Sequence, residues 1–261
     1  MITSIKSALT TRWAGQSIYY YEETDSTNIQ AKALEGAGHG TLVVADMQTA
    51  GRGRLGRTWQ SPAGNNIYMS ILLKPEISPN QAPMLTLVMA LSVAEAVKTV
   101  SGMNAYIKWP NDLVINKKKI CGILTEMNLD GTGIKHVVIG VGINVNTPDF
   151  PEDIRQTATS LRIEGGHSFE RAEIIAAIME SFEKNYEIFI QNGDLSGIVD
   201  RYNALLINKN KEVRVLEPGH EYNGYALGIN NTGELLVRKE DGKMENIFAG
   251  EVSVRGIYGY V

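Results

Sequence analysis

The chain has 261 residues, 43% hydrophobic and 21% charged, which is enough apolar material for one large domain plus a small one. A formal charge of -4 argues against nucleic acid as the main partner, because that role needs a basic face. The single cysteine, Cys121, excludes a disulfide framework and a cysteine-built zinc site, and four scattered histidines show no ligand-like spacing. No stretch approaches about 20 uninterrupted apolar residues and the amino end carries no basic segment followed by an apolar core, so a cytoplasmic protein is expected.

Residues 18–23 predict a strand, and Asp25, Ser26, Thr27 and Asn28 offer capping side chains to a helix over 30–35 that Gly36 ends. A strand over 41–46 follows, then a long glycine- and arginine-rich loop over 48–66, then a strand over 67–74. Residues 81–100 are apolar along a helical length, as suits a helix buried against a sheet. Strands are expected over 107–109, 112–115, 120–126 and 137–145, with Asn116-Lys117-Lys118 as a hairpin turn. The core sheet is therefore mixed or mainly antiparallel. Residues 170–190 form a second long helix and 195–206 a shorter one. After Asn210 short strands over 212–216, 222–229 and 234–238 alternate with turns at Pro218-Gly219, Asn231-Thr232-Gly233 and Asp241-Gly242, the spacing of a small barrel. A boundary near 208 then gives a large domain over 1–208 and a small one over 209–261.

Three clusters carry chemistry. Gly51 to Gly56 matches the GxGxxG pattern and Gly51 to Thr58 nearly matches a phosphate loop, with Arg57 in place of lysine. Both patterns need a helix starting at the last glycine, and Pro62, Gly64 and the asparagines after it forbid one. What remains is a loop with three guanidinium groups, Arg52, Arg54 and Arg57, and one large aromatic, Trp59. Guanidinium forks bind carboxylate and phosphate oxygens in bidentate fashion, so an anionic small molecule fits, and so does an exposed loop or a nucleic-acid patch. The second cluster, Lys108-Trp109-Pro110-Asn111-Asp112, bends between two strands and presents Asn111 and Asp112 at a strand edge. A carboxylate beside an amide suits a Mg²⁺-phosphate or merely caps the turn. Lys117-Lys118-Lys119 reads either as a solvated hairpin tip or, since Lys119 directly precedes an apolar strand, as a held Lys119 beside two lysines that swing freely. In the third cluster, Gly140 to Asn146, two glycines interrupt a strand, which marks close approach by a ligand or by a packed helix.

Taken together, Thr24 to Asn28, Gln48 to Arg54, Lys108 to Asp112, Lys119 with Gly122, and Gly140 to Asn144 resemble biotin protein ligases in order and spacing, over about residues 18–261. The resemblance implies an α+β ligase domain of class II aminoacyl-tRNA synthetase type and an SH3-like barrel at the carboxy end. It also implies two steps: the biotin carboxylate attacks the ATP α-phosphate, then a lysine of a biotin carboxyl carrier protein attacks the biotinyl-adenylate. By the same resemblance Ser26, Thr27, Asn28, Gln48, Gly51, Arg52 and Gly53 hold biotin, with Arg54 and Lys119 at its carboxylate and the α-phosphate as the catalytic residues. Arg54, Arg57, Trp59, Lys108, Asn111 and Asn144 address ATP, and Asp112 stands near Mg²⁺. The glycines of the loop would let it close as a lid over the labile adenylate.

Only about 20 residues precede the first strand, so the helix-turn-helix of repressor-type members is not expected, and a homodimer is reasonable by resemblance. Three rivals make distinct predictions. A lipoate or octanoate transferase on the same fold would serve a long apolar acyl chain, and a single-strand nucleic-acid module would bind through the arginine loop without ATP chemistry. A regulator that binds biotin without catalysis would not need Lys119 and Asp112 together.

Overall fold

The computed structural model describes residues 1–131, 133–217, 220–249, 253–256, 260 and 261. The expected Pro218-Gly219 turn lies outside them. A short helix α1 (Ile2–Ala8) leads to strand β1 (Ile18–Thr24), helix α2 (Thr27–Ala33), β2 (Thr41–Gln48) and β3 (Ile67–Leu73). The long helix α3 (Met84–Ser101) is followed by β4 (Tyr106–Lys108), β5 (Asp112–Ile115), β6 (Lys118–Asp130) and β7 (Gly133–Ile143). Helices α4 (Leu161–Gly165), α5 (Arg171–Asn192) and α6 (Val199–Leu205) close the first part. The second part is all strand: β8 (Lys211–Glu217), β9 (His220–Ile229), β10 (Leu235–Lys239), β11 (Met244–Ile247) and β12 (Ser253–Gly256).

The first seven strands make one sheet in the order β1-β2-β3-β7-β6-β5-β4. Only β1 and β2 run parallel; the other pairs are antiparallel, as a mixed sheet was expected to be. Because side chains alternate along a strand, each strand contributes to two different environments. Leu42, Val44, Met69, Ile71, Val137, Ile139, Val141 and Ile143 pack with α3 and α5 into the main core. Burying a side chain of this kind stabilises by roughly 1.5–3 kcal/mol, so this face supplies most of the fold's apolar gain. The opposite face is covered only in part, by α2, through Ala31 against Val43, Leu72 and Val138. The uncovered remainder of that face holds the candidate site.

Helix α3 is apolar over most of its surface because it lies inside this core, with Glu95, paired to Arg201, and the exposed Lys98 and Thr99 on its remaining side. The helix and the strand over 118–130 are placed as the sequence indicates, although β6 and β7 extend into a longer hairpin than 120–126 and 137–145 suggested. Helix α2 begins at Thr27 with Ser26 as its N-cap, so Ser26, Thr27 and Asn28 stand at a helix start as their capping side chains indicate, and that start is satisfied from outside. Gln48 Oε1 accepts from the Thr27 backbone N–H at 2.9 Å, whereas the N-cap Ser26 makes no side-chain cap bond. Two short helices, α1 and α4, were not visible in the sequence.

The small sheet is antiparallel throughout, in the order β11-β10-β9-β8-β12. It is joined to the large sheet by Trp109, which is buried. Its backbone N–H donates to Asn208 Oδ1 at 3.1 Å and its indole N–H to the Gly233 carbonyl at 3.1 Å.

Candidate active site

Strand register builds the floor of the site. Ser70 of β3, Gly140 of β7 and Leu124 of β6 lie side by side, and Gly142 and Gly122 form the next row. These residues fall on the face away from α3, so three glycines replace side chains that would otherwise fill the space beneath α2 and Trp59. A Cβ at Gly140 would stand 2.1 Å from Asn28 Oδ1, and one at Gly142 would stand 2.7 Å from Trp59 Nε1. The glycine-interrupted strand is therefore the seat of Asn28 and of the Trp59 indole.

A first cavity over this floor is lined by Ser26, Thr27, Asn28, Gln48, Arg52, Gly53, Arg54, Trp59, Asn111, Lys119 and the backbone of β6 and β7. Nearly all residues expected at the acyl substrate thus converge from chain positions far apart. Gly51 packs beside them, where a Cβ would come within 2.3 Å of the Trp59 carbonyl, and the Gly53 N–H donates to the Arg57 carbonyl at 2.7 Å. With Trp59 N–H donating to the Gly51 carbonyl at 2.9 Å, the arginine loop braces itself; it holds only a three-residue 3-10 turn at Arg54–Gly56 and no α-helix starts at Gly56, which disposes of both glycine nucleotide patterns.

A second cavity adjoins the first through Arg54, Trp59, Asn111 and Lys119, and adds Arg57, Lys108, Asp112, Arg255 and Tyr260. It is the charged half. Lys119 Nζ lies 2.6 Å from Asp112 Oδ1, at the partition between the cavities. The register of β5 and β6 shifts between Leu113 and Val114, opposite Lys119, and the Lys119 backbone is gripped by Thr157 and Thr159 at 2.8 and 2.9 Å. A bulge of this kind re-aims a side chain. Lys117, by contrast, sits exposed in the left-handed turn with φ 65°. Arg54 donates to Asn111 Oδ1 at 2.9 Å and to the Ala249 carbonyl at 2.8 Å, and burial holds its pKa below the usual guanidinium value. Lys108 is 6% exposed, and burial pulls its ammonium down to about 8 although Asp112 opposes the shift. Its Nζ lies 4.0 Å from the centre of the Tyr260 ring.

Three placements depart from expectation. Asn144 lines neither cavity: at the end of β7 its side-chain N–H donates to the Thr159 carbonyl at 3.1 Å, so the amide is spent on closing the segment that grips Lys119. Trp59 is not confined to the nucleotide side, because the glycine floor draws its ring into the wall shared by both cavities; its buried indole N–H has no partner among the described residues. Asp112 does not fit a resident metal site. Its Oδ1 faces Lys119 and also accepts from Asn111 Nδ2 at 3.2 Å, and its Oδ2 accepts from the Tyr260 hydroxyl. Among the described residues no three His, Cys, Asp or Glu side chains gather as a metal cage would require. Nothing in the pattern of residues signals Tyr260, which comes from the far end of the chain.

A cavity floored by neutral, directional groups with Arg52, Arg54 and Lys119 in its walls, fused to a second cationic cavity with a lysine–carboxylate pair between them, suits the activation of an acid by a nucleotide. Known proteins agree. Residues 20–144 match the Biotin/lipoate A/B protein ligase family, and residues 210–255 match the Biotin protein ligase C terminal domain. The bifunctional ligase/repressor BirA of Bacillus subtilis is 40% identical over 97% of this chain and 78% of its own length. The chain belongs to the biotin protein ligase family. Other members of the family resemble it as well. The biotin--[acetyl-CoA-carboxylase] ligase of Paracoccus denitrificans is 31% identical over 89% of this chain and 98% of its own. The biotin protein ligase from Aquifex aeolicus, solved in complex with biotin and ATP, superposes with a TM-score of 0.82 at 32% identity, covering 92% of this chain and 99% of its own. These matches favour biotin over the lipoate or octanoate reading, and the enzyme is a ligase.

Proposed function

We propose that this biotin protein ligase divides its reaction between the two cavities, with biotin in the first, ATP in the second, and Lys119 at the point where they meet. The enzyme joins biotin and ATP into biotinyl-5′-AMP and passes the biotin to a lysine of a biotin carboxyl carrier protein, that of acetyl-CoA carboxylase or a related enzyme. In the first step a biotin carboxylate oxygen attacks the α-phosphorus and pyrophosphate leaves. In the second, the carrier amine attacks the acyl carbon and AMP leaves.

The observation that carries this division is the Lys119–Asp112 contact at 2.6 Å on the partition. Two anions must approach each other in the first step, and the charge grows on the α-phosphate oxygens in the transition state. Preorganised cations that need not move to meet that charge are the main catalytic resource. Lys119 and Arg54 line both cavities, whereas Arg57 and Lys108 line only the second, facing the phosphates. Ser26, Thr27, Asn28, Gln48 and Arg52 take the biotin ring and tail. Mg²⁺ enters with the triphosphate as part of the substrate.

Replacing Lys119 by alanine is expected to cut biotinyl-5′-AMP formation by about a hundredfold or more, while Lys117→Ala changes it less than about twofold. Mass spectrometry of protein incubated with biotin and MgATP measures the adenylate, and equal loss in the two variants would refute the assignment. Arg54 is committed within the site through its bonds to Asn111 and Ala249, and the formal charge of -4 speaks against a nucleic-acid role for the exposed Arg52 and Arg57. A homodimer working in the cytoplasm completes the proposal, and sedimentation of the purified chain tests the dimer.

A further inference from the structure

We infer that Glu126 is a positioning residue that sets the direction of the hydrogen bonds running from Asn28 through Ser70 to the Thr27 hydroxyl on the floor of the first cavity, and tethers the arginine loop beside it. The inference rests on the reading of that cavity as the biotin site. Glu126 lies on β6, two residues beyond Leu124 on the same face, paired across to Val138. It stands at the edge of the floor, with Oε2 accepting from Asn28 Nδ2 at 2.7 Å and Oε1 from Lys32 Nζ at 2.9 Å; Arg52 Nη1 is 3.9 Å from Oε1.

A carboxylate only accepts, so Asn28 must turn its amino group toward Glu126, where the Leu124 carbonyl also receives it at 3.3 Å. The Asn28 carbonyl then points the other way, to Ser70 Oγ at 2.6 Å. It has no proton to give, so the Ser70 hydroxyl must donate. A hydroxyl has one proton, and with it spent on Asn28 the Ser70 oxygen can only accept from Thr27 Oγ1, 2.7 Å away. Thr27 Oγ1 also lies 3.2 Å from Gln48 Oε1, but the shorter contact to Ser70 takes its one proton, so Thr27 offers a ligand an oxygen lone pair and no proton. Beyond it the Thr27 N–H fixes Gln48 with its amino group toward Ser61 Oγ at 2.9 Å, and Ser61 donates to the Trp59 carbonyl at 3.1 Å. From Asn28 through Ser70 to the Thr27 hydroxyl each direction follows from the charge on Glu126, and the Thr27 backbone N–H sets Gln48 on its own. A cyclic urea, whose two N–H groups need acceptors and whose carbonyl needs donors, is the ligand chemistry that such a preset row can select. The carboxylate stays ionised: burial would raise its pKa, but the bonds from Lys32 and Asn28 and the charges of Lys32 and Arg52 outweigh that and hold it below the ordinary value.

The test is steady-state kinetics of the full chain. Glu126→Gln frees the Asn28 amide to turn and releases Arg52, so KM for biotin is expected to rise about tenfold or more, as for a lost hydrogen bond to a charged group, with kcat and KM for ATP within about twofold. Asn28→Asp alone places two carboxylates together and is expected to raise biotin KM at least as much. The double variant Asn28→Asp with Glu126→Gln restores an amino group facing an acceptor at the edge and an acceptor facing Ser70. It is expected to recover biotin KM to within a few-fold of the parent, which no loss of general packing would predict. Unchanged biotin KM in Glu126→Gln, or a double variant no better than Asn28→Asp, overturns the inference. Thr27→Val separates this from the site assignment: if Thr27→Val leaves biotin KM unchanged, the cavity is not the biotin site, whereas a rise there with none in Glu126→Gln removes only Glu126.

Discussion

The two cavities share a wall and differ in almost everything else. The first is built on the middle strands of the large sheet, where Ser70, Gly140 and Leu124 stand in register and neutral side chains bond to one another in sequence. The second is made of residues at strand ends and near the end of the chain, Lys108, Asp112, Arg255 and Tyr260, and works by charge. A small neutral ring can be told from its analogues only by fixed donors and acceptors, which demand a rigid base. A triphosphate is recognised by charge from several directions, which tolerates irregular backbone. The fold thus assigns recognition to its sheet and reactivity to its edges.

The contrast can be broken most sharply at its rigid side. Gly140→Ala puts a methyl group where Asn28 Oδ1 now lies, only 2.1 Å away, and Asn28 has nowhere to retreat under α2. A misplacement of this size is expected to cost about a hundredfold in biotin binding, read by calorimetry, with ATP binding spared and a stability loss of about 1–3 kcal/mol by denaturant unfolding. The next largest effect belongs to the charged side. Asp112→Ala leaves Lys119 without its partner, and adenylate formation is expected to slow about tenfold or more while calorimetric biotin affinity holds. A loss of biotin affinity equal to the catalytic loss would erase the division.

The pH dependence of Lys108 sharpens the same contrast. Burial holds its folded pKa at about 8 against 10.5 for an ordinary lysine. Below both values the two states are equally protonated and the burial cost is felt in full. Between them the unfolded chain binds a proton that the folded protein has shed, so stability rises with pH across that window. The folded enzyme meanwhile loses a cation facing the phosphates. Denaturant unfolding at pH about 7 and about 9.5 should show a gain that Lys108→Met lacks, and ATP affinity should fall over the same range. The smallest effect is expected from Tyr260→Phe, which removes one bond to Asp112: a two- to fivefold change in KM for ATP and none for biotin.

Much of this was legible in the sequence because the site's backbone requirements leave marks. Gly140 and Gly142 inside an apolar strand announced a close approach, and Lys119 before its apolar run announced a held lysine among free ones. The seven-residue α1 and five-residue α4 are too short to show a helical period, so they passed unread. Glu126 looks like any acid in a strand, since its meaning depends on Asn28, 98 positions away along the chain. Asn144 was misplaced for a related reason: an asparagine at a strand end serves a ligand or a neighbouring carbonyl, and only the position of Thr159 decides which.

Trp109 has a use outside catalysis. Of the protein's three tryptophans it is the one whose indole N–H is held by the small sheet, through the Gly233 carbonyl, while its neighbours in sequence, Lys108 and Asn111, face the nucleotide cavity. Emission from a fully buried indole moves to longer wavelength once water reaches it, so this residue is a built-in optical gauge of the joint between the two sheets. With Trp13 and Trp59 replaced by phenylalanine, the colour of a single residue would report whether the small sheet stays seated through each turnover.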